Sequence, residues 1–359
     1  LSASGELKTK PTQHSVKTLS EAGVQPNVLV CRSEYPVPPD IRRKIALFCN
    51  VNVNSVIQSI DAETIYDVPL MMRKEGLDEI VLEKLQMPQE PEPNIDSWKV
   101  FLGKLKNPTT EINIGLIGKY VELPDAYKSI VEAIIHAGAV NECRVHLHWL
   151  QSENLNEENL ATRLRDLDGI LVAPGFGERG IEGKIMAANF ARRNKIPFFG
   201  ICLGLQCAVI GFAREVLGIK DAHTAEIAPD AENAVIDIME NQKNLKQMGG
   251  TMRLGAYKCR IEKNSLAWKI YGASEISERH RHRYEFNNKY LEQFKKAGMI
   301  PSGVNPESEL VEIMEVKGHP HFIGSQFHPE LKSTVENPHP LFVSFVAACL
   351  TRKKAVQEH

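Results

Sequence analysis

The chain has 359 residues, of which 43% are hydrophobic and 25% charged, and its formal net charge is −2. These values are typical of a globular protein of two or three domains, and the mixed charge excludes a general electrostatic attraction to nucleic acid or membranes. No apolar run of roughly eighteen residues and no signal-peptide pattern is present, so we expect no membrane span. Seven cysteines without a Cys-x-x-Cys pair favour reduced thiols in the cytoplasm over a disulfide framework or a zinc site.

The first 85 residues alternate apolar runs with helix-like stretches, which indicates part of an α/β domain without a complete core of its own. The chain begins on Leu1, and we expect a fragment of a longer protein. The pattern predicts strands at Pro26–Cys31 and Val53–Ile60, and helices at Pro39–Phe48 and Leu77–Leu85.

Residues 86–110 are predicted to form a linker. The stretch Met87 to Pro93 alternates prolines with acidic residues, a composition that disfavours helix and favours extended chain. A short helix at Asp96–Lys106 is expected to lead into a second domain at residues 111–352. A tail at residues 353–359 follows that domain.

The second domain shows regular strand–helix alternation, which predicts a mostly parallel sheet covered on both faces. Asp125 is expected to cap a helix that carries Ile130, Ile134 and Ala137 on one face. The predicted strands are Ile112–Ile117, Val145–Leu150, Gly169–Ala173 and Pro197–Ile201, the predicted helices include Ile181–Asn194 and Leu205–Leu217, and β-like segments follow at Met252–Ile261 and Ile323–Phe327.

Cys202 lies between two glycines at a predicted strand-to-helix junction, in the run Gly200-Ile-Cys-Leu-Gly204. This arrangement is typical of a nucleophile elbow, in which a sharp turn exposes the side chain at the carboxyl edge of a sheet. The following helix N-terminus favours the thiolate over the thiol. A buried, inert cysteine is the alternative, and it is favoured unless a base lies elsewhere in the chain.

A candidate base occurs near the end of the chain, in Gly324-Ser-Gln-Phe-His-Pro-Glu330. An apolar strand leads to His328, and Glu330 projects to the same side if the backbone stays extended. A carboxylate there can orient the imidazole and stabilise the imidazolium. With twelve histidines in the chain, this pair is weak evidence by itself.

Other short motifs bear on the site. Pro174-Gly-Phe-Gly177 follows a predicted strand, so the amide of Gly175 or Phe176 could join that of Leu203 in an oxyanion hole, although this motif on its own favours a plain turn. Gly115 to Lys119 has the wrong spacing for a phosphate loop and is interpreted as a strand end. The basic run Glu278 to Asn288 favours binding of a substrate carboxylate over nucleic acid.

Taken together, these residues resemble the class I (triad) glutamine amidotransferases and, more narrowly, the CTP synthase family. The elbow Gly200–Gly204 with Gln206 and the run His328–Glu330 support the broader class. The narrower resemblance depends on Lys8–Ser15, Ile45–Asn50, Gly118–Tyr127, Gly249–Gly255 and Arg279–Glu285. It implies a class I amidotransferase domain preceded by the second part of a P-loop-type α/β amidoligase domain.

The resemblance implies a role for each matching residue. Cys202 corresponds to the nucleophile, His328 to the base and Glu330 to its orienting partner. The remaining implied sites are for glutamine (Gly175, Leu203, Gly204, Leu205, Gln206, Glu226 and Arg283), for UTP or the inhibitor CTP (Lys8, Thr9, Lys10, Pro11, Thr12, Gln13 and Lys44), for ATP (Ile60, Asp61 and Ala62) and for activation by GTP (Arg179–Gly183 and Gly249–Gly255).

The resemblance also implies conversion of UTP, ATP and glutamine to CTP, ADP, phosphate and glutamate by a cytoplasmic homotetramer. The ATP-binding P-loop and the carboxylates for Mg²⁺ are expected in an N-terminal portion outside this chain. We therefore predict no metal ligands in this chain, and glutamine hydrolysis as its own activity. One departure concerns the oxyanion turn, because Ala173-Pro-Gly-Phe-Gly177 replaces the usual Pro-Gly-Gly-Phe-Gly.

Two other functions fit the same residues. One is a different cysteine hydrolase on the same elbow, such as a γ-glutamyl peptidase, which has no need of Lys8 to Gln13. The other is a non-catalytic regulatory or assembly module that keeps the elbow only as architecture. Cleavage of glutamine amide, its acceleration by GTP and the effect of replacing Cys202 distinguish these functions.

Overall fold

The structure is a computed structural model that describes residues 7–89, 93–238 and 252–357. The chain divides into two compact units, Leu1–Asp96 and Ser97–His359. The predicted linker overlaps both units, since the helix α5 (Asp96–Lys106) begins at their boundary and the first strand of the second unit follows closely. In the described part of the chain, no helix is long and apolar enough to cross a membrane.

The first unit is a small α/β fragment. Two parallel strands pair from Leu29↔Val56 to Ser33↔Ile60, and helices pack against them around a core of Val16, Ile45, Ala46, Cys49 and Val56. Its elements are α1 (Lys10–Glu21), β1 (Leu29–Ser33), α2 (Pro39–Cys49), β2 (Val56–Ile60), α3 (Val68–Lys74) and α4 (Leu77–Lys84).

Local chemistry explains the ends of these elements. Helix α2 begins with Pro39, where the missing amide of proline is not needed, and ends before Asn50 in the left-handed conformation. The predicted strand Val53–Ile60 begins only at Val56. Asn52 accepts a hydrogen bond from the Asn54 amide and starts a 3₁₀ turn at Val53–Ser55, which delays the strand.

The second unit contains a nine-stranded sheet in the order β10-β9-β12-β13-β14-β6-β5-β3-β4 and a smaller three-stranded sheet β11-β8-β7. The strands are β3 (Thr110–Gly118), β4 (Cys143–Gln151), β5 (Gly169–Val172), β6 (Phe198–Ile201), β7 (His223–Thr224), β8 (Ala234–Ile238), β9 (Arg253–Ile261), β10 (Glu275–His282), β11 (Tyr284–Phe286), β12 (Met299–Val304), β13 (Val311–Val316) and β14 (Phe322–Ser325). The helices are α6 (Lys128–Val140), α7 (Leu160–Leu164), α8 (Ile181–Arg193), α9 (Leu203–Glu215), α10 (Leu266–Tyr271), α11 (Leu291–Ala297) and α12 (Pro340–Gln357).

The large sheet is mixed. Strands β14, β6, β5, β3 and β4 run parallel, whereas the pairs from β10 to β14 are antiparallel. The parallel half is the strand–helix alternation that the sequence predicts, and the α/β class is confirmed. The sheet is mixed rather than mostly parallel, because its strands after β8 pair antiparallel with one another. Its carboxyl edge is where the loops after β3, β5 and β6 meet the segment after β14.

Alternating residues of β6 fill the cores on the two faces of this sheet. Phe198 stacks on Phe322 on one face, with ring centroids 4.3 Å apart, and Phe199 meets Phe342 edge-on on the other at 5.2 Å. Since side chains alternate along a strand, a fully apolar strand needs a core on both sides. This double burial fixes the strand that leads to Cys202.

One predicted cap is wrong. Asp125 does not cap α6, because a 3₁₀ turn at Pro124–Tyr127 comes before the helix, and Tyr127 occupies the N-cap position without a side-chain hydrogen bond. The predicted face of this helix is confirmed, with Ile130, Ile134 and Ala137 buried.

Candidate active site

Cys202 lies at the tight junction between β6 and α9. Its backbone has φ 53° and ψ −104°, outside the regions that residues with side chains normally adopt. The Cys202 amide donates to the Ser325 carbonyl at 2.7 Å, which fixes the junction to the end of β14. The helix begins at Leu203, two residues earlier than predicted, so the cysteine directly precedes the helix N-terminus.

The two flanking glycines are required by close backbone approach. A Cβ on Gly200 would lie 2.7 Å from the Gly204 carbonyl carbon, and a Cβ on Gly204 would lie 2.2 Å from the Val172 carbonyl oxygen. Both distances are shorter than any real Cβ contact. The double-glycine pattern therefore marks a true elbow, as the sequence predicts.

His328 and Glu330 form the pair that the sequence predicts. His328 Nδ1 and Glu330 Oε1 are 2.7 Å apart, and both residues are buried. The predicted route to this contact is wrong, because Pro329–Leu331 forms a 3₁₀ turn rather than extended chain. The turn brings the carboxylate back onto the ring, while the His328 amide donates to the Arg279 carbonyl at 2.8 Å and anchors the base to β10.

The electrostatics of His328 favour the imidazolium. Burial lowers its pKa, but the neighbouring Cys202 and Glu330 outweigh burial and raise the pKa to about 10. The other ring nitrogen, Nε2, makes no hydrogen bond to any described residue. The Cys202 thiol therefore acts on the His328 ring electrostatically, without a hydrogen bond to it. Catalytic hydrogen bonds often tighten only when substrate binds. A cysteine, an imidazolium and a carboxylate in this order can support nucleophilic attack.

Gln326 is a contact of the cysteine that the sequence analysis missed. Its Nε2 donates to Cys202 Sγ at 3.6 Å, and its Oε1 accepts from Gln206 Nε2 at 3.2 Å. Gln206 also donates to the Tyr284 carbonyl at 2.9 Å. The signal was present, since Gln326 stands two residues before His328 at the end of a buried strand.

The turn from Ala173 to Gly177 faces the elbow and is held by two lysines that the sequence analysis also missed. Lys119 Nζ donates to the carbonyls of Phe176 and Gly177, and Lys184 Nζ donates to the Ala173 carbonyl at 2.7 Å. Lys184 could have been noticed, because it lies three residues after Ile181 on the core face of α8. Gly175 and Phe176, the two predicted candidates for the oxyanion donor, lie within this turn.

The residues predicted to bind glutamine surround the same region. Glu226 accepts from the Gly177 amide at 2.8 Å, and Arg283 Nε is buried without a hydrogen-bond partner in the described chain. Both charges act on the phenol of Tyr284. Burial raises the pKa of Tyr284, Glu226 raises it further, and Arg283 lowers it. A carboxylate and a guanidinium therefore both lie within electrostatic range of Tyr284, and an amino acid has one end that suits each. The predicted contacts Leu203, Gly204, Leu205 and Gln206 are buried in the first turn of α9.

The residues predicted to bind nucleotides lie in the first unit. Lys8 and Lys44 are exposed, and the Gln13 amide donates to the Thr9 hydroxyl at 3.0 Å. Asp61 follows β2 at the carboxyl edge, where it lies 3.5 Å from Arg32. The other predicted positions are Lys10, Pro11 and Thr12 at the start of α1, and Ile60 and Ala62 on either side of Asp61.

Of the segments predicted for GTP, Arg179–Gly183 precedes and begins α8. Arg179 contacts Glu153 at 2.8 Å and lies over the Tyr120 ring at 5.0 Å. In the second segment, residues 249–251 fall outside the described residues, and Arg253 to Gly255 begin β9.

One group among the described residues has metal-ligand spacing, namely His280, His282 and Glu312, with ligand atoms within 4.8 Å of one another. The two imidazoles do not suit Mg²⁺, which prefers oxygen ligands. Arg253 also pairs with Glu312 at 2.7 Å and places a positive charge beside it. This group therefore does not fit Mg²⁺.

Comparison with known proteins agrees with this geometry. Residues 122–348 match the family described as glutamine amidotransferase class-I, and residues 1–87 match the CTP synthase N-terminus. The CTP synthase of Cytophaga hutchinsonii is 68% identical over 97% of this chain and 65% of its own length. That of Christiangramia forsetii is 58% identical over 100% of this chain and 64% of its own length.

A solved structure, the glutaminase domain of Trypanosoma brucei CTPS with bound acivicin, is 38% identical with a TM-score of 0.64. The aligned region covers 67% of this chain and 94% of the Trypanosoma brucei chain. The chain spans about two thirds of the length of the curated relatives named above. From the family matches and this structural likeness, the chain belongs to the class I glutamine amidotransferases and, within them, to the CTP synthase family.

Proposed function

We propose that this chain hydrolyses glutamine to glutamate and ammonia at Cys202, and that the whole protein uses this ammonia to convert UTP to CTP. The observation that carries the proposal is the buried group of Cys202, His328 and Glu330, with a backbone turn facing the nucleophile. Membership of the CTP synthase family supports the choice of glutamine and UTP.

In the first half of the proposed reaction, the Cys202 thiolate attacks the side-chain amide carbon of glutamine. The negative oxygen of the tetrahedral intermediate accepts hydrogen bonds from the amides of Gly175 and Leu203. As the C–N bond breaks, the His328 imidazolium gives its proton to the departing ammonia, and a γ-glutamyl thioester remains. In the free site the pKa of His328 is raised to about 10, so the ring enters the reaction as an imidazolium at neutral pH.

In the second half, neutral His328 takes a proton from water, which attacks the thioester carbon. The C–S bond breaks, so glutamate leaves and the thiolate–imidazolium pair is restored. Glu330 keeps the ring oriented through Nδ1 in both halves. Glu226 and Arg283 bind the amino and carboxylate ends of the substrate, since their charges are opposite and both act on Tyr284.

For the whole protein, we propose that ATP phosphorylates the 4-oxygen of UTP and that ammonia then displaces this phosphate, with ADP and phosphate as by-products. Lys8 to Gln13 and Lys44 contact UTP or the inhibitor CTP, and Ile60 to Ala62 contact ATP. Mg²⁺ accompanies ATP on ligands from outside this chain, and GTP activates glutamine hydrolysis. We further propose that the protein is a cytoplasmic homotetramer.

The test is ammonia release from glutamine, followed with and without GTP, in this chain and in Cys202→Ala. We expect hydrolysis by the unchanged chain, acceleration by GTP and loss of activity by roughly 10⁴-fold or more in the variant. In the whole protein, Cys202→Ala should still make CTP from UTP and ATP when ammonia is supplied. Hydrolysis that survives the substitution would refute the assignment, and a preference for γ-glutamyl peptides over glutamine would favour the peptidase instead.

A further inference from the structure

Lys184 is a buried cation without a carboxylate partner. It lies on α8 with 0% exposure, and no carboxylate oxygen of the described residues lies within 4.0 Å of its Nζ. Burying an uncompensated ammonium is costly, and an apolar residue would pack there at lower cost. Its presence therefore calls for a reason other than stability.

The contacts of Lys184 lead to the oxyanion turn. Nζ donates to the carbonyls of Ala173 at 2.7 Å and of Pro174 at 3.4 Å. In a trans peptide the carbonyl and the following amide point in opposite directions, so holding the Pro174 carbonyl directs the Gly175 amide away from the lysine. A Cβ on Gly175 would lie 3.7 Å from Nζ and 3.6 Å from Leu203 Cδ2, so the turn lies between the lysine and the elbow.

The charge of Lys184 also acts on the elbow. Burial lowers its pKa to about 8 and the like-charged Lys119 acts in the same direction, while the thiols of Cys207 and Cys202 act in the opposite direction. The ammonium therefore persists at neutral pH, and Cys202 lies within its electrostatic reach. Cys207 is buried, and its pKa is raised to about 12 because burial outweighs the nearby lysine. Of the two thiols that interact with Lys184, Cys202 is the one that lies at the elbow.

We propose that Lys184 is a positioning residue for glutamine hydrolysis: it holds the Ala173 and Pro174 carbonyls so that the Gly175 amide faces the reacting carbonyl, and its positive charge acts on Cys202 across the oxyanion turn. This inference rests on the proposed function. It assigns the buried lysine two tasks, the geometry of the oxyanion hole and the charge balance of the nucleophile.

The experiment compares Lys184→Met, which removes the charge and the donors at similar volume, with Lys184→Arg, which keeps both. Lys220→Met, on an exposed turn of the same unit, is the matched control. Two quantities are measured: kcat and KM for glutamine, and the rate of Cys202 alkylation by iodoacetamide between about pH 5 and about pH 10, resolved by peptide mass.

For Lys184→Met we expect kcat to fall about 10²-fold while KM changes less than about threefold, as for removal of an oxyanion donor. Alkylation of Cys202 at pH 7 should slow about tenfold, because the thiolate loses a neighbouring cation. Lys184→Arg should recover most of both losses, and the control should match the unchanged chain.

The proposal is overturned if a folded Lys184→Met keeps kcat within about threefold, or if kcat falls with an unchanged alkylation profile and no recovery in Lys184→Arg. If Lys184→Met does not fold, Lys184→Gln takes its place and is judged by the same two results. Failure of the unchanged chain to hydrolyse glutamine would refute the proposed function. Alkylation of Cys202 does not need glutamine, so the alkylation profile would still test the role of Lys184.

Discussion

The two units present their candidate functional residues in opposite ways. In the second unit, Cys202, His328 and Glu330 are buried and held by backbone contacts from several strands. In the first unit, Lys8, Lys44 and Asp61 are exposed. A preformed site depends on the fold around it, whereas exposed charges contribute little to stability and act mainly on a ligand. The two units should therefore respond differently to substitution.

The largest effect is expected at the elbow. Gly204→Ala places a Cβ 2.2 Å from the Val172 carbonyl oxygen, so helix α9 and strand β5 would have to move apart. We expect a loss of at least about 3 kcal/mol in the free energy of unfolding and no detectable glutamine hydrolysis. Chemical denaturation and ammonia release measure the two effects.

Gly103→Ala is the matched control for this change. Gly103 lies in helix α5 with nothing within 4 Å of its Cβ position, so alanine should stabilise the helix by up to about 1 kcal/mol. Equal responses from the two glycines would contradict the argument that the elbow requires glycine.

The second effect is on the chemistry. Glu330→Gln keeps the shape of the side chain but removes the charge that helps to raise the pKa of His328 to about 10. We expect kcat to fall by roughly 10² to 10⁴-fold, since the ring loses its orienting carboxylate. Steady-state kinetics measure this loss, and an unchanged kcat would show that Glu330 is only a structural neighbour.

The same substitution makes a prediction about pH. Because the pKa of His328 is raised above its ordinary 6.5, its contribution to stability is complete below pH 6.5 and disappears as the pH rises through about 10. Glu330→Gln should therefore reduce stability at neutral pH and flatten the decline on the alkaline side. Thermal denaturation across this range measures the difference between the two proteins.

A third effect is expected in acid. Burial lowers the pKa of both His319 and His321 from 6.5 to about 4. Between these two pH values, the imidazoles are protonated in the unfolded chain but neutral in the folded unit. Stability is complete above pH 6.5 and falls as the pH drops towards 4, by about 2 kcal/mol per histidine at pH 5.

His321→Gln should weaken this dependence on acid, whereas His14→Gln, an exposed histidine of the first unit, should leave it unchanged. Denaturation curves at pH 5 and 7 compare the two variants. Equal acid sensitivity in all three proteins would show that His321 is not the residue that titrates.

A smaller effect is expected in the first unit. Glu75 accepts two hydrogen bonds from Arg42, at 2.7 and 3.2 Å, and one from the Gln58 side chain at 3.0 Å. Burial acts to raise the pKa of Glu75, but Arg42 and Gln58 lower it. The resulting stability is present above its ordinary pKa of 4.5 and is lost as the pH falls below it.

Glu75→Gln should destabilise this unit by about 1–2 kcal/mol and leave glutamine hydrolysis unchanged. Denaturation and ammonia release check the two statements. A parallel loss of hydrolysis would mean that the two units do not respond independently.

The smallest effect on stability is expected at Lys44, which is exposed on α2. Lys44→Ala should change the free energy of unfolding by less than about 0.5 kcal/mol. In the whole protein it should still weaken UTP binding, measured by calorimetry, because the proposed site loses a cation that can pair with the triphosphate. Unchanged UTP affinity would remove Lys44 from the proposed nucleotide site.

The sequence predicts the elbow well because its determinants are local. Two glycines around Cys202, an apolar strand before it and a helix after it leave few other conformations. The partnership of His328 and Glu330 was also predicted, although through extended chain rather than the 3₁₀ turn that Pro329 begins. The Asp125 cap was wrong because another 3₁₀ turn comes before the helix.

By itself, the sequence determined the α/β alternation of this chain, the elbow around Cys202 and the identity of a base and its orienting partner. Only the tertiary structure decided that Gln326 reaches the thiol, that Lys119 and Lys184 hold the oxyanion turn, and that the sheet is half antiparallel. The physical reason is range. A tight turn is determined by adjacent residues, whereas the role of a buried lysine depends on carbonyls that are distant in the sequence and that packing brings within hydrogen-bond distance.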